Sequence, residues 1–361
     1  MPVFMGVSEY KNAESIFFDQ DWKLCNECGC IFLSPLLPLE MVYQTNHHSE
    51  PIGEVWNAHH INFAEFIHSS CPHSSQTFLE VGAAHCFLAT QLLEKRHINK
   101  YIVVEPNPTQ FPDKVEIVKS FVELNYHLIQ DADCVIHSHV LEHVYNPRTF
   151  FEGITKNMRE GANLFISVPN IPKLIELRGA NSLNFEHTYL LDDKVVEYLA
   201  SINCLDLISK QKFQEHSIFF HFRKNSHNGH NHLEVPSLHQ YSSSFLSLWR
   251  ELSVFVVEVN KSIQNLERDN FLFGAHIFSQ SLLALGLREA DYLGVLDNSL
   301  AKQGKVLYGS NLRVLNPRVI SEHERPTVIL VGTHYDEEIR KQLIELNSEV
   351  LILRPSSYFS T

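Results

Sequence analysis

Basic residues are scarce in this chain, because only 29 lysines and arginines stand against 42 acidic residues, for a net charge of −13. Affinity for nucleic acids comes largely from clustered Lys and Arg, so this deficit argues against a polyanionic partner. No apolar run approaches the ~20 residues of a membrane span, and the first residues lack the basic and apolar stretches of a signal peptide. We therefore expect a cytoplasmic protein that acts on small molecules and has no membrane partner.

Paired cysteines are also missing. The seven cysteines are an odd number scattered along the chain, which favours reduced thiols over a disulfide framework. The one CxxC pair is Cys25 and Cys28 in the segment 25–30, CNECGC. A structural zinc site needs four ligands, and a second such pair does not follow in the sequence. Zinc bound at Cys25 and Cys28 and a simple turn with buried thiols both stay open.

A chain of 361 residues is long enough for two or three domains, each with its own core. The patterns predict an amino-terminal segment over 1–75, an α/β core over 76–224, a linker and bridging helix over 225–268, and a smaller parallel α/β domain over 269–361. The helix is predicted from apolar residues that recur every three or four positions. They are Phe245, Leu248, Leu252, Phe255, Val259, Ile263 and Leu266. Packing in a core is the favoured reading of this stripe, and a dimer seam is the alternative.

Strand and helix patterns alternate within the predicted core. The segment 78–86, FLEVGAAHC, predicts a strand and a turn of small residues, and 101–105, YIVVE, predicts a strand that ends in an acid. Two further strands follow near 133–138 and 164–170. An open parallel sheet of this kind builds a nucleoside site at its carboxyl edge.

Two residues in this frame carry the cofactor prediction. Gly82 lies where the first strand turns into its helix, and a side chain there would hold a nucleoside away from the backbone. Ala84 and Cys86 occupy the positions where such turns have further glycines. Glu105 ends the next strand, where a carboxylate accepts hydrogen bonds from both hydroxyls of a ribose. The same topology also binds nicotinamide cofactors, so a nicotinamide cofactor is the alternative prediction.

Beyond these residues, the segments 140–147, VLEHVYNP, and 161–170, GANLFISVPN, closely resemble the corresponding segments of class I S-adenosylmethionine-dependent methyltransferases. The resemblance implies a Rossmann-like methyltransferase core that binds S-adenosylmethionine. It also implies that Glu80 lies near the methionine end of the cofactor and that the backbone of Ser138 and His139 lines the same cleft.

Methyl transfer to a weak nucleophile needs a base, and neutral His is the natural base near pH 7. His143 follows the strand that reaches the cleft, and the loop 184–189, NFEHTY, brings Glu186 and His187 to the same mouth. These three residues are the catalytic candidates, although His143 could instead hold the start of a helix. In the segment 47–60, His48, Trp56 and His59 suit a wall over a sugar, or else packing between domains.

The order of the three parts resembles the sugar C-methyltransferases that act on nucleotide-linked keto sugars. The segments 295–305, VLDNSLAKQGK, and 332–339, GTHYDEEI, are similar to the small carboxyl-terminal domain of that family. The resemblance implies a sugar or nucleotide-sugar substrate, methylated at carbon or oxygen, and an active site at His143, Glu186 and His187. The alternative is a catalytically degenerate fold that serves as a binding or scaffold protein, which the large side chain of Cys86 favours. The oligomeric state stays open.

Overall fold

The structure is a computed structural model of the chain. It describes residues 1–9, 15–26, 29–42, 54–83, 85–109, 111–177, 183–225, 234, 236–237, 239–330 and 336–355. The described strands are β1 Val7–Ser8, β2 Trp22–Leu24, β3 Ile31–Leu33, β4 Thr77–Val81, β5 Lys100–Val104, β6 Val115–Val118, β7 Cys134–Ser138, β8 Asn163–Pro169, β9 Tyr189–Leu190, β10 Leu205–Phe213, β11 Ser217–Lys224, β12 Asp269–Phe273, β13 Gly294–Leu296, β14 Val306–Leu307, β15 Val314–Leu315, β16 Pro326–Ile329 and β17 Leu351–Leu353. The described helices are α1 Leu39–Val42, α2 Glu54–Ser70, α3 Phe87–Lys95, α4 Pro147–Asn157, α5 Ile171–Glu176, α6 Asp193–Ser201, α7 His239–Gln264, α8 Ile277–Ala284 and α9 Asp336–Leu346.

A central sheet with the strand order β10-β11-β8-β7-β4-β5-β6 organises the predicted core. The pairs from β8 to β6 are parallel, whereas β11 runs antiparallel to β8 and forms a hairpin with β10. Strand β8 is buried along its whole length, as expected for a sheet covered on both faces. The Rossmann-like α/β core predicted from the sequence is confirmed.

The order of the strands reverses between β4 and β7. The chain moves from β4 outward to β5 and β6, and then returns across the sheet to β7 and β8. Such a switch point leaves a crevice outside the carboxyl ends of the strands. The segments that follow β4, β5, β6 and β7 therefore meet at one edge of the sheet.

Helix α2 covers one face of this sheet, although it precedes the domain boundary predicted at residue 75. The ring of Phe63 lies 4.8 Å from that of Phe219 on β11, and the ring of Phe66 lies 6.0 Å from that of Phe165 on β8. Aromatic side chains contribute much of the energy of such contacts because each buries a large apolar area. The domain boundaries themselves stay predictions.

The carboxyl-terminal part contains a second parallel sheet, in the order β15-β13-β12-β16-β17, which confirms the predicted smaller α/β domain. Helix α7 connects it to the rest of the chain. The first half of this helix buries Phe245, Leu248 and Leu252 in a cluster with α5, β3 and β9, and the second half buries Phe255 and Val259 against the second sheet. The apolar stripe predicted from the sequence is therefore core packing on both sides.

The amino-terminal segment forms strand pairs with two other parts of the chain. Strand β1 pairs with β14 of the carboxyl-terminal part, and the side chain of Gln280 accepts a hydrogen bond from the backbone of Gly6 and donates to the carbonyl of Phe4. Strand β3 pairs instead with β9, directly after the segment that carries Glu186 and His187. Among the described residues, no helix has both the length and the apolar character needed to cross a membrane.

His137 on β7 should make stability depend on pH. It is fully buried, both ring nitrogens have no hydrogen-bond partner among the described residues, and burial lowers its pKa to about 4 despite the opposing effect of Glu142. The unfolded chain binds this proton near pH 6.5 and the folded chain does not, so the stability that the neutral imidazole contributes is present above pH 6.5 and lost as the pH falls toward 4.

We predict that wild type loses about 2 kcal/mol more stability between pH 7 and pH 5 than the His137→Leu variant, by the linkage between proton binding and folding. Urea unfolding at the two pH values measures the difference. Equal losses in the two proteins would contradict the neutral buried state. Some dependence should survive in the variant, because burial also lowers the pKa of His60 and of His221 to about 4.

Candidate functional site

A cavity of ≈ 460 Å³ lies at the carboxyl edge of the central sheet. This is within the size range of ligand sites in proteins. Its walls come from the segments after β4, β5, β6 and β7, from the loop before β9, and from the start of α1. The residues that line it are Leu39, Val81, Gly82, His85, Val104, Glu105, Pro106, Asn107, Thr109, Ser120, Phe121, Val122, Glu123, Tyr126, His139, Val140, His143, Val144, Tyr145, Asn146, Thr149, Phe150 and Glu186.

Gly82 lines the cavity at the end of β4, and its role in cofactor binding stays a prediction. Its φ is +71°, a left-handed conformation, and a Cβ atom built on it would lie 2.5 Å from Cγ2 of Val140. Ala84 lies outside the described residues. Cys86 begins α3 with a φ of 53°, and its side chain is buried in the apolar cluster beneath the turn rather than in the cavity. The cysteine is therefore accommodated by the core.

Glu105 follows the end of β5 and lines the cavity from the neighbouring strand. Its side chain is buried, and Oε1 accepts a hydrogen bond of 2.8 Å from the backbone N–H of Asn107. A carboxylate accepts hydrogen bonds at both of its oxygens, which is the chemistry that a diol requires. The glycine turn and this carboxylate fit the sugar of a nucleoside.

Two other predicted cofactor residues lie behind the cavity wall. Glu80 on β4 is buried and accepts a hydrogen bond of 2.6 Å from the hydroxyl of Tyr101. Burial raises the pKa of Glu80 to about 7, Glu105 adds to this, and the Tyr101 hydroxyl opposes it. The Ser138 hydroxyl lies 3.1 Å from Nε2 of His59. Neither Glu80 nor Ser138 is among the residues that line the cavity, whereas His139 is.

The sequence reasoning missed one wall of the cavity, the segment after β6. Ser120, Phe121 and Glu123 line this side, and the Phe121 ring is 39% exposed. An exposed aromatic ring at a strand end is suited to stack on a flat heterocycle. The sequence prediction did not include strand β6, which pairs parallel to β5, so it placed no segment on this wall.

The two segments that carry the predicted catalytic residues meet around Glu142, which is 1% exposed. Ligand atoms of Glu142, His143 and His187 lie within 4.8 Å of one another, and Nδ1 of His139 lies 3.1 Å from Oε1 of Glu142. Burial would raise the pKa of Glu142, but His139, His143 and His187 outweigh it and lower the pKa to about 2. A buried carboxylate with a lowered pKa therefore lies within a group of imidazoles.

The loop of Glu186 and His187 is held in place by backbone contacts. Asn184 accepts hydrogen bonds of 2.9 Å through Oδ1 from the N–H groups of both residues. The N–H of Thr188 donates to the carbonyl of Glu142 at 2.8 Å, and the N–H of Leu33 on β3 donates to the carbonyl of Thr188 at 2.9 Å. The amino-terminal segment therefore fixes this loop over the cavity.

His143 and Glu186 line the cavity, and the rings of His143 and His187 lie 5.0 Å apart. Nδ1 of His143 lies 3.0 Å from the backbone carbonyl oxygen of Glu186. A carbonyl can only accept, so Nδ1 carries the proton and Nε2 keeps its lone pair in the neutral ring. This arrangement provides a base at the cavity wall.

The predicted substrate wall forms an aromatic cluster next to the cavity. The Trp56 ring lies 4.7 Å from the rings of His139 and His216, and 5.4 Å from that of His59. His59 is fully buried, and burial first and His139 second lower its pKa far below the usual range. Trp56 is 37% exposed. His48 lies outside the described residues.

Zinc at the amino terminus stays a prediction, because Cys28 lies outside the described residues. Cys25 begins a tight turn in which its N–H donates to the carbonyl of Cys30 and its carbonyl accepts from the N–H of Gly29. Within the described part of the chain, the groups of three side chains that could hold a metal do not include Cys25. They are His59 with His139 and His216, and Glu142 with His143 and His187.

Comparison with known proteins gave similarities of fold over less than half of the chain. No family model and no curated protein matches. Solved structures with a similar fold include an S-adenosylmethionine-dependent methyltransferase from Mesorhizobium loti, 7% identical, covering 44% of this chain and 96% of its own, with a TM-score of 0.39. The N-methyltransferase NodS from Bradyrhizobium japonicum is 14% identical and covers 48% of this chain and 97% of its own, with a TM-score of 0.34.

The turn at Gly82 can be tested against a matched glycine. Gly161 has a φ of +76°, close to that of Gly82, but a Cβ built on it meets nothing within 4 Å. Gly161→Ala should cost about 1–2 kcal/mol, the strain of a left-handed residue. Gly82→Ala should cost about 1–3 kcal/mol more, because it also overpacks against Val140.

Urea unfolding of both variants measures these losses, and the double variant Gly82→Ala/Val140→Ala should be less destabilised than additivity predicts. Equal losses at the two glycines would show that contact with Val140 does not constrain the turn.

Proposed function

We propose that this chain is an S-adenosylmethionine-dependent methyltransferase. The observation that carries the proposal is the cavity at the switch point of the sheet, with Gly82 at its floor, Glu105 on one wall and His143 with Glu186 on another. Gly82 lets a nucleoside approach the backbone, and Glu105 accepts hydrogen bonds from its ribose. When bound there, S-adenosylmethionine supplies an electrophilic methyl group.

The residues of the chain provide alignment and a proton acceptor. His143 lines the cavity with Nε2 as its basic nitrogen, and His187 lies beside it, so either imidazole can accept the proton of a hydroxyl or of a carbon next to a ketone. The buried carboxylate of Glu142 stabilises the imidazolium that forms, as a charge partner in a site of low dielectric. Glu186 adds a second acceptor in the same wall.

We propose further that the acceptor is a sugar, nucleotide-linked, with carbon or oxygen as the methylated atom. Polar side chains of His143, Thr149 and Glu186 line the part of the cavity formed after β7 and before β9, where they can hydrogen-bond to hydroxyl groups. The resemblance of the three-part chain to the sugar C-methyltransferases supports the same substrate class. The scaffold alternative loses its main argument, since the Cys86 side chain is in the core.

Binding tests the cofactor first. Isothermal titration calorimetry with S-adenosylhomocysteine should show one saturable site, and Glu105→Ala should weaken it roughly 10- to 100-fold, because hydrogen bonds to a charged acceptor contribute about 1.5–3 kcal/mol. Glu116→Ala is the matched control, since Glu116 is an exposed residue of the neighbouring strand, paired with Lys100. No binding, or binding of NAD in its place, would overturn the proposal. The proposal would also be overturned if the protein bound the cofactor but showed turnover only after the substitution Cys86→Gly.

Proton transfer can be tested by substitution and by isotope exchange. We expect His187→Ala or His143→Ala to lower turnover by ~10²-fold or more, according to which imidazole is the base, and the exposed His127→Ala to leave it unchanged. With a keto sugar, the same base should exchange solvent deuterium into the carbon next to the ketone without cofactor turnover. Wild-type rates in both His143→Ala and His187→Ala would show the mechanism to be wrong.

A further inference from the structure

Three histidines that are far apart in the sequence meet at one side of the cavity. His59 lies on α2, His139 directly follows β7, and His216 lies in the turn between β10 and β11. Each offers one ring nitrogen, and the three nitrogens lie within 4.8 Å of one another. His139 also lines the cofactor cavity, so the cluster and the cavity share a residue.

The spacing of the three rings is that of a metal site. Their centroids lie 5.0 Å apart for His59 and His139, 5.5 Å for His59 and His216, and 5.6 Å for His139 and His216. Three imidazoles that bind one zinc ion tetrahedrally through bonds of about 2.0–2.1 Å place their centroids about 5 Å apart. Small shifts of the side chains would therefore bring the nitrogens to bonding distance.

The polar partners of these rings also suit ligation. Nδ1 of His59 is buried and has no hydrogen-bond partner among the described residues, although buried polar atoms nearly always have one. Nδ1 of His139 lies 3.1 Å from the Glu142 carboxylate. Metal-bound histidines characteristically donate their second ring N–H to a carboxylate, which fixes the tautomer and the orientation of the ring. Nε2 of His139, the nitrogen left for the ion, lies 3.0 Å from the Ser217 hydroxyl, a contact that metal binding would replace.

We propose that His59, His139 and His216 bind a divalent transition-metal ion of the zinc class. A ligand set of imidazoles alone suits zinc and its neighbours rather than magnesium or calcium, which take oxygen ligands. Three protein ligands leave a fourth position for water or for an oxygen of a small molecule, as in open zinc sites. The ion lies beside the cofactor cavity and is distinct from any zinc at Cys25 and Cys28.

Metal binding to the full-length protein tests the proposal directly. The protein is stripped with a chelator and titrated with Zn²⁺ alone, with the bound metal measured by mass spectrometry. The double variant Cys25→Ser/Cys28→Ser should retain one tightly bound zinc, and adding His216→Ala should abolish it. Glu142→Gln should keep the site and weaken zinc binding about 10- to 100-fold, as losses of a carboxylate partner do. His60→Ala is the matched control and should bind zinc like its parent.

Cobalt substitution separates the two kinds of ligand. Co²⁺ in the double cysteine variant should show the visible bands of a tetrahedral site without a thiolate charge-transfer band. Since His59 is buried and its loss could prevent folding, His216 and His139→Asn serve as the ligand variants, each checked by circular dichroism. Zinc binding that disappears with the cysteines, persists in the folded His216→Ala and His139→Asn variants, or never occurs would overturn the proposal.

Discussion

The carboxylate of Glu142 is 1% exposed, and its pKa is nevertheless lowered because the surrounding His139, His143 and His187 outweigh the effect of burial. A buried charge without such partners would destabilise the fold by several kcal/mol. The turn after β7 and the loop before β9 must therefore keep their relative positions. The hydrogen bond from the N–H of Thr188 to the carbonyl of Glu142 joins the two segments. The carboxylate thus contacts the neighbourhood of His143 and His187 on one side and His139 of the histidine cluster on the other.

The amino-terminal segment and α7 explain why the chain needs parts outside its central sheet. Strand β3 pairs with β9 and so supports the loop of Glu186 and His187. Strand β1 pairs with β14 of the carboxyl-terminal part. Helix α7 buries one half of its apolar stripe against each side. Among the residues that line the cavity, Leu39 at the start of α1 comes from the amino-terminal segment, which therefore contributes directly to the cavity wall.

Local patterns in the sequence predict the sheet, the turn at Gly82, the acid Glu105 and the stripe of α7, because each depends on residues close together in the chain. Hydrophobic periodicity cannot predict that β11 enters the sheet antiparallel between β8 and β10. The same periodicity cannot predict that His216 lies next to His59, since this contact depends on the position of the β10–β11 hairpin relative to α2. The sequence also could not show where the Cys86 side chain lies. A larger side chain at a position that usually holds glycine favoured the scaffold alternative, but the turn directs this side chain into the core.

Methyl transfer is measured most directly with S-adenosylmethionine that carries a labelled methyl group, incubated with a panel of nucleotide sugars in keto and hydroxyl forms. Mass spectrometry of the products then shows which sugar gains the label and at which atom. We expect one labelled product in which the methyl group is attached to a sugar carbon or oxygen, formed together with S-adenosylhomocysteine. A protein that binds the cofactor and labels none of these acceptors would contradict the proposed sugar methyltransferase.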